Sequence, residues 1–233
     1  MSKRPTRLRV EHLQTIDPLT DKQRDAFAFW KSDQNLILSG AAGTGKTFIA
    51  SYLALKHALT HNTPAQPRLI FVRSAVPTRD MGFLPGTMEE KEDAYKAPYK
   101  AIVNELFMDP EAWSKMNQLK TIEFLTTSYI RGLTIDNAVV IIDEAQNMNY
   151  HELCSVITRL GNNTRIIICG DYYQSDFKTE KDKEGLAKFL TILDNMNYFG
   201  TVEFTWEDIV RSGLVRDFLM TKEMVDKGKL KNV

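Results

Sequence analysis

The sequence predicts an α/β fold whose mainly parallel sheet is covered by helices on both faces. Short continuous runs of apolar, largely β-branched residues alternate along the chain with segments of helical apolar periodicity. Continuous apolar runs are typical of strands that are buried on both faces, as in parallel sheets. The predicted strands are Leu36–Leu38, Leu69–Val72, Ile122–Leu125, Val139–Ile142, Arg165–Cys169 and Val202–Thr205.

The helices are predicted from apolar spacing and from residues typical of helix ends. Thr20 and Gln23 have the spacing of a capping box, which predicts the start of the first helix. Gly161 is predicted to end the helix that begins near Tyr150. The predicted helical segments carry apolar residues at Ala26–Trp30, Phe48–Leu59, Tyr150–Leu160, Leu186–Leu193 and Leu214–Leu219.

The composition excludes several classes of protein. The chain has 233 residues, of which 43% are hydrophobic and 26% charged, with 30 basic and 30 acidic side chains. These fractions are those of a globular protein, so disordered and collagen-like chains are excluded. A net charge of zero excludes a surface that is basic throughout, but it leaves room for a local basic patch.

The two cysteines and the apolar runs indicate the compartment. Cys154 and Cys169 lie among apolar residues without metal-ligand spacing, so we predict that both are buried small hydrophobes. No apolar run approaches the roughly 18 residues of a membrane span, and no secretory leader is visible. We therefore expect a soluble cytoplasmic protein, in the host cytoplasm if the chain is viral, without a membrane partner.

The strongest motif is GAAGTGKT at Gly40–Thr47, which fits the phosphate-binding P-loop and lies between a predicted strand and a predicted helix. Glycines let backbone N–H groups approach phosphate oxygens, and the helix N-terminus adds a positive dipole end. Lys46 is expected across the β- and γ-phosphates, with the Thr47 hydroxyl on Mg²⁺. The predicted nucleotide-binding residues are Gly40, Ala41, Ala42, Gly43, Thr44, Gly45, Lys46 and Thr47.

Two carboxylates follow the predicted strand Val139–Ile142. Asp143 ends a buried strand, so its side chain is expected at the carboxyl edge of the sheet, where it can hold the metal. Glu144 beside it suits a base that activates water, which favours hydrolysis over nucleotide storage. The alternative is a strand that simply ends in acidic surface residues.

The loop Gly170–Gln174 follows another predicted strand. Gln174 on this loop can reach a γ-phosphate or the attacking water if its strand neighbours the two strands above. The alternative is an ordinary turn that contains an aspartate.

The stretch Ser74–Gln118 interrupts the alternation of strands and helices. It contains Pro77, Pro85, Pro98 and Pro110 together with an acidic run at 89–93. We predict an insertion, at about 74–118, of a long loop with one or two helices, and loops of this length are usually functional. The chain then divides into a basic arm at 1–16, a single domain at 17–221 and a basic tail at 222–233.

With these motifs in view, the chain resembles the PhoH family of P-loop ATPases, relatives of the superfamily 1 helicases. The resemblance runs from about Asp17 to Asp217. It departs at Ser74, where proline is common, and at Ala145, where serine is common. The motifs that carry it are Arg73–Val76, Gly82–Gly86, Tyr129–Gly132, Asp143–Asn147, Thr158–Gly161, Gly170–Gln174 and Glu207–Arg211.

The resemblance implies a RecA-like domain that binds ATP and Mg²⁺, with helicase or ATPase activity directed at RNA. Carried over by position, Gln23 resembles a glutamine that reads adenine, although its capping role competes with this interpretation. Gln174 resembles a γ-phosphate sensor. Arg211 resembles an arginine that completes a catalytic site, and Arg159 is the second candidate.

The resemblance also implies an assembly. Superfamily 1 helicases close two RecA-like domains around ATP, whereas this chain is long enough for one. We therefore expect a hexameric ring in which Arg211 or Arg159 acts on the ATP of a neighbouring copy. The alternatives are a non-enzymatic protein whose assembly is gated by ATP and a P-loop kinase of small molecules.

Basic residues at both termini and near the predicted carboxyl edge of the sheet are candidates for contact with RNA or single-stranded DNA. A solvated surface balanced by nearby acids explains them equally well. The acidic run at 89–93 argues against phosphate contacts in the insertion. The candidates are Lys3, Arg4, Arg7, Arg9, Arg73, Arg79, Arg131, Lys222, Lys227, Lys229 and Lys231.

Overall fold

A computed structural model of the chain describes residues 7–60, 67–74, 88–172 and 180–226. The strands are β1 (Asn35–Gly40), β2 (Arg68–Arg73), β3 (Ile122–Thr126), β4 (Ala138–Ile142), β5 (Thr164–Gly170) and β6 (Phe199–Phe204). The helices are α1 (Asp21–Lys31), α2 (Lys46–Thr60), α3 (Met88–Leu106), α4 (Ala112–Gln118), α5 (Thr127–Ile130), α6 (Tyr150–Ile157), α7 (Glu180–Asp194) and α8 (Gly213–Asp226).

The strands form one six-stranded sheet in the order β3-β2-β4-β5-β1-β6. Every pairing between neighbouring strands is parallel. In the register, Leu38 pairs with Cys169 and Ile142 pairs with Ile168, so β1, β4 and β5 end close together at one edge. The predicted α/β class with a mainly parallel sheet is confirmed.

Alternate residues of each strand face opposite sides of the sheet. In β1, Leu36 and Leu38 belong to one buried cluster and Ile37 belongs to another. The first cluster includes Trp30, Tyr99 and Trp113, and it packs against α1, α2, α3 and α4. The second packs against α5, α6 and α7. Both faces of the sheet are therefore covered, which explains why its strands read as continuous apolar runs.

Strand β6 begins earlier than the sequence predicted, at Phe199 rather than Val202. It is an edge strand, and its residues alternate between buried and exposed. Gly200 and Thr201 do not continue an apolar run, so the start of this strand carries no signal in the sequence.

The prediction that both cysteines are buried was correct for one of them. Cys169 is fully buried, whereas Cys154 is only half-buried on the rim of the second cluster.

Helix α6 ends at Ile157 rather than at Leu160. The Thr158 N–H still donates to the Cys154 carbonyl, but the following chain turns toward the segment before β4. There Leu160 forms a bridge with Ile135, and the Gly161 N–H donates to the Ile135 carbonyl at 2.8 Å. This pairing ends the helix before the glycine.

The described part of the predicted insertion contains two helices, α3 and α4, between β2 and β3. Helix α3 runs through Pro98 and buries Tyr99 and Val103 in the first cluster. Residues 75–87, which include Pro77 and Pro85, lie outside the described residues.

Among the residues that the structure describes, no helix combines the length and the apolar character needed to cross a bilayer.

Candidate nucleotide-binding site

The predicted P-loop connects β1 to α2 at the carboxyl edge of the sheet. Gly40, the last residue of β1, has a φ of +123°, a conformation that residues with a side chain rarely adopt. Further along, the Gly43 carbonyl accepts a hydrogen bond from the Val210 N–H at 3.1 Å. The loop is therefore held against the segment that follows β6.

Lys46 lies at the start of α2 and reaches back over the loop. Its Nζ donates to the Gly40 carbonyl at 2.6 Å and to the Ala41 carbonyl at 2.7 Å. Burial lowers the pKa of Lys46, and the nearby Asp171 and Asp143 carboxylates act in the opposite direction. The ammonium thus lies among the loop carbonyls, where a phosphate would be bound in a P-loop.

Thr47 and Asp143, the two predicted metal-binding residues, are in direct contact. The Thr47 hydroxyl donates to Asp143 Oδ1 at 2.9 Å. Burial raises the pKa of Asp143, and the adjacent Glu144 charge raises it further. A hydroxyl and a carboxylate at this position fit Mg²⁺, which prefers oxygen ligands and is usually completed by phosphate and water. Among the described residues, no group of three or more His, Cys, Asp or Glu forms a separate metal cage.

The sequence did not reveal the third residue of this group, Tyr99. The Tyr99 hydroxyl donates to Asp143 Oδ2 at 3.0 Å, although 44 residues separate the two in the chain. Its ring stacks on Phe71 of β2 at 4.5 Å between ring centroids and lies 5.8 Å from the ring of Phe124. Burial raises the pKa of Tyr99 well above its usual value, and the Asp143 charge adds to this shift. The phenol therefore stays protonated and remains a hydrogen-bond donor.

Glu144 is held by a chain of hydrogen bonds that joins the ends of β4 and β5. Its backbone has a φ of +54°, which is unusual for a residue other than glycine. Gln146 Nε2 donates to Glu144 Oε2 at 2.7 Å, and Gln146 Oε1 accepts from the Asp171 N–H at 3.0 Å. In the sequence, Gln146 stood out only as part of the family motif, because its role depends on the contact with β5.

Gln174, the predicted γ-phosphate sensor, lies outside the described residues. The strand before it is nonetheless in the expected place, since β5 lies between β1 and β4. Asp171, at the end of that strand, is buried beside the P-loop lysine. The role of Gln174 stays a prediction.

Gln23 joins the N-terminus of α1 to the P-loop. Its N–H donates to the Thr20 hydroxyl at 3.3 Å, which confirms the predicted start of the helix, but only this half of the predicted capping box forms. In its buried side chain, Oε1 accepts from the Leu19 N–H at 2.7 Å and Nε2 donates to the Thr44 carbonyl at 3.2 Å. Adenine reading by Gln23 stays a prediction. To bind adenine, the Gln23 amide would have to give up its hydrogen bonds to the Leu19 N–H and the Thr44 carbonyl.

The two candidate arginines lie in different places. Arg211 is exposed, and its Cγ lies 3.1 Å from the position that a Cβ would take at Gly43. It therefore borders the P-loop of its own chain. Arg159 lies in the turn after α6, near the amino-terminal end of β5 and so at the opposite edge of the sheet. It does not belong to the site of its own chain, and the helix predicted over Tyr150–Leu160, which would include Arg159, ends before it at Ile157.

The candidate basic residues are spread over several parts of the molecule. Arg73 ends β2, with its guanidinium 5.6 Å from the centre of the Tyr95 ring. Arg131 follows α5 and is exposed, as are Arg7, Arg9 and Lys222. The remaining candidates lie outside the described residues: Lys3, Arg4, Arg79, Lys227, Lys229 and Lys231.

Comparison with known proteins gives one consistent family. A sequence profile described as PhoH-like protein matches residues 15–223. A PhoH-like protein of Mycobacterium tuberculosis is 36% identical over 212 residues, which are 88% of this chain and 57% of that protein. Protein PhoH of Escherichia coli is 36% identical over 186 residues, or 79% of this chain and 51% of that protein. The chain thus spans little more than half the length of these relatives.

A solved structure, unliganded Pif1 from Bacteroides sp., aligns at 15% identity with a TM-score of 0.42. The alignment covers 94% of this chain and 47% of that one.

Proposed function

This chain belongs to the PhoH-like protein family, and on that premise we propose that it is a Mg²⁺-dependent ATPase that acts on RNA or single-stranded DNA as a ring in the cytoplasm. One observation carries the nucleotide part of this proposal. The Thr47 hydroxyl of the P-loop lies 2.9 Å from Asp143 Oδ1, so the phosphate-binding loop and the metal carboxylate meet at one point. This is the pair that holds Mg²⁺ in P-loop enzymes.

In the proposed mechanism, each residue around that point has a separate role in hydrolysis. Lys46 and the N–H groups of the loop bind the phosphates, and Thr47 with Asp143 hold Mg²⁺. When bound, the metal neutralises negative charge that develops on the phosphates. Glu144, fixed by Gln146 at 2.7 Å, orients the attacking water and accepts its proton. Arg211, whose Cγ borders Gly43 of its own chain, is the arginine that we propose stabilises charge on the transferred phosphoryl group, in its own copy or in a neighbouring one.

The test of hydrolysis is the replacement Glu144→Gln. The amide keeps the size of the side chain but cannot accept a proton, so ATP turnover falls by roughly 10²-fold or more while ATP affinity is retained. Turnover is measured by phosphate release, and affinity by titration with a fluorescent ATP analogue. Lys46→Ala loses both, since the phosphates lose their cation.

Glu105→Gln is the matched control, because this exposed glutamate near the end of α3 has no part in the site. It should leave turnover and affinity unchanged. Turnover that persists in Glu144→Gln would contradict hydrolysis by this residue. It would favour the alternatives, a small-molecule kinase or an assembly protein for which binding alone is the output.

The nucleic-acid part of the proposal rests on charge near the site. Arg73 is the last residue of β2 and Arg131 follows α5, the short helix after β3, so both lie toward the same edge of the sheet as the P-loop. Polyanion binding by such groups releases counterions and weakens as salt rises. We therefore expect RNA or single-stranded DNA to stimulate ATP turnover at low salt and much less at high salt. If no polymer changes turnover at either salt concentration, nucleic acid is not the substrate.

The ring is proposed because α8, the helix that contacts the P-loop through Leu219, also carries exposed apolar side chains. Leu214 and Phe218 of α8 are 85% and 63% exposed. In the same helix, Leu219 Cδ1 lies 3.0 Å from the position that a Cβ would take at Gly43. Exposed apolar side chains grouped in this way are typical of protein contact surfaces. A second copy of the chain that covers this face of α8 would close the site, and six copies would complete the ring.

A further inference from the structure

We infer that Tyr99 is a positioning residue for the metal: its hydroxyl orients the Asp143 carboxylate for Mg²⁺. This inference rests on the proposed function, because it takes Asp143 to be a Mg²⁺ ligand. It adds a role for Tyr99, a residue that the P-loop motifs do not include. The Asp143 carboxylate accepts one hydroxyl bond on each oxygen, from Thr47 on Oδ1 and from Tyr99 on Oδ2. The two donors come from different helices, α2 and α3, so the carboxylate is held from two sides.

The geometry distinguishes this tyrosine from one that only fills space. Its ring is fixed by stacking on Phe71 at 4.5 Å and by Phe124 at 5.8 Å, and the side chain is 1% exposed. A ring clamped in this way holds its hydroxyl at one position with little loss of side-chain entropy. The hydroxyl meets Asp143 Oδ2 at 3.0 Å, within the range of a good hydrogen bond to a carboxylate.

Loss of the Tyr99 hydroxyl is expected to weaken Mg²⁺ binding, because residues that hydrogen-bond to a metal ligand affect metal affinity. Hydrogen bonds to a metal-binding carboxylate fix its direction, and their loss typically lowers metal affinity by about 10- to 100-fold. Asp143 is buried, so without the Tyr99 hydroxyl its Oδ2 would lose the hydrogen-bond donor that the structure shows for it. The carboxylate would then be free to turn away from the position that Thr47 and Tyr99 give it, which weakens Mg²⁺ binding. Helix α3, which belongs to the insertion, is thereby coupled to the metal site.

The experiment compares Tyr99→Phe with the unmodified chain in a binding assay. The affinity of a non-hydrolysable fluorescent ATP analogue is titrated at increasing Mg²⁺ and also in EDTA. We expect the Mg²⁺ concentration for half-maximal effect to rise about 10-fold in Tyr99→Phe, with the affinity in EDTA unchanged. Binding of Mn²⁺ followed by electron paramagnetic resonance gives the same comparison without reference to turnover.

Tyr95→Phe is the control, because this tyrosine lies one turn earlier in α3 with its ring against Arg73. Its Mg²⁺ dependence should match that of the unmodified chain. Equal Mg²⁺ midpoints for Tyr99→Phe and the unmodified chain would overturn the inference and leave the proposed function intact. An equal loss of affinity in EDTA and in Mg²⁺ would also overturn it, since a structural defect acts on both.

A further variant guards against a folding defect in Tyr99→Phe. In an Asp143→Asn background, Tyr99→Phe should add no further change in the Mg²⁺ midpoint, because Tyr99 acts through that carboxylate. An additional change of the same size in this background would contradict the inference. If the unmodified chain shows no Mg²⁺-dependent nucleotide binding, the proposed function itself fails, which is distinct from failure of the Tyr99 role alone.

Discussion

At the scale of single residues, the P-loop depends on Gly40 more strictly than the motif indicates. Gly40 pairs with Phe204 across the β1–β6 ladder and has a φ of +123°. A Cβ placed there would lie 1.9 Å from the Phe204 carbonyl oxygen. Because that atom belongs to the backbone of a paired strand, it cannot move aside as a flexible side chain would.

We predict that Gly40→Ala lowers the free energy of unfolding by about 3 kcal/mol or more and abolishes nucleotide binding. The cause is a backbone clash added to an unfavourable φ, so the loop must leave its position over the N-terminus of α2. Urea unfolding followed by circular dichroism measures the first effect, and titration with the ATP analogue measures the second.

Gly132→Ala separates the two causes. Gly132 also has a positive φ, +85°, but nothing lies within 4 Å of its Cβ position. Its substitution should cost only about 1 kcal/mol and leave nucleotide binding unchanged. Equal effects of the two substitutions would show that backbone conformation alone, and not the contact with Phe204, explains the loss.

At the scale of secondary-structure elements, the Glu152 side chain forms hydrogen bonds that connect α6 with α5 and with the end of β2. Its N–H and carboxylate form a reciprocal cap with Asn149 at the start of α6, with both distances at 3.0 Å. The second carboxylate oxygen, Oε1, accepts from the Ser74 hydroxyl at 3.0 Å and from the Thr127 hydroxyl at 2.5 Å. One side chain thus caps α6 and connects it to the residue after β2 and to α5.

We predict that Glu152→Ala destabilises the fold by about 2–3 kcal/mol, because the carboxylate loses its bonds from Ser74, Thr127 and the Asn149 N–H, while the Glu152 N–H still donates to Asn149 Oδ1. Asn149→Ala removes only the bond from the Glu152 N–H to Asn149 Oδ1, keeps the backbone N–H that donates to Glu152, and should cost about 1 kcal/mol. The comparison is made by urea unfolding at the same pH. If Glu152→Ala costs no more than Asn149→Ala, the two hydroxyl bonds contribute nothing to stability.

The sequence could predict the features that are defined by neighbouring residues, but not the contacts between segments that are distant in the chain. The P-loop and Asp143 were found because each is defined by neighbours in the chain, a motif in one case and the end of an apolar run in the other. Tyr99 and the Gln146–Asp171 contact were missed because they join segments that are distant in the chain. The C-terminal end of α6 was placed too late, since its pairing with Ile135 overrides the apolar pattern.

At the scale of the whole molecule, the parallel sheet brings the site to one edge. The P-loop follows β1, Asp143 follows β4 and Asp171 follows β5, and these three strands end close together in the register. On the β6 side of this edge, the segment after β6 and helix α8 lie against the loop. Helix α8 contacts the P-loop through Leu219 and carries the exposed Leu214 and Phe218, so a contact between copies on this helix, as proposed, would lie on an element that touches the nucleotide-binding loop.

We predict that the chain assembles in the presence of a non-hydrolysable ATP analogue and that Phe218→Asp weakens this assembly at least about 10-fold. The reason is that covering an exposed phenylalanine contributes roughly 1.5–3 kcal/mol, which corresponds to about 10-fold or more in affinity. Size-exclusion chromatography with light scattering over a range of protein concentrations gives the midpoint of assembly.

Tyr198→Asp is the matched control for this assembly. Tyr198 has a similar exposure of 66%, but it precedes β6 and so lies at the opposite edge of the sheet. A charge at this position should leave the assembly midpoint unchanged, whereas a charge at Phe218 raises it. A chain that remains strictly monomeric with the analogue at high protein concentration would exclude the ring. Equal effects of the two substitutions would move the contact away from α8, because the surface beside the P-loop would then have no special part in it.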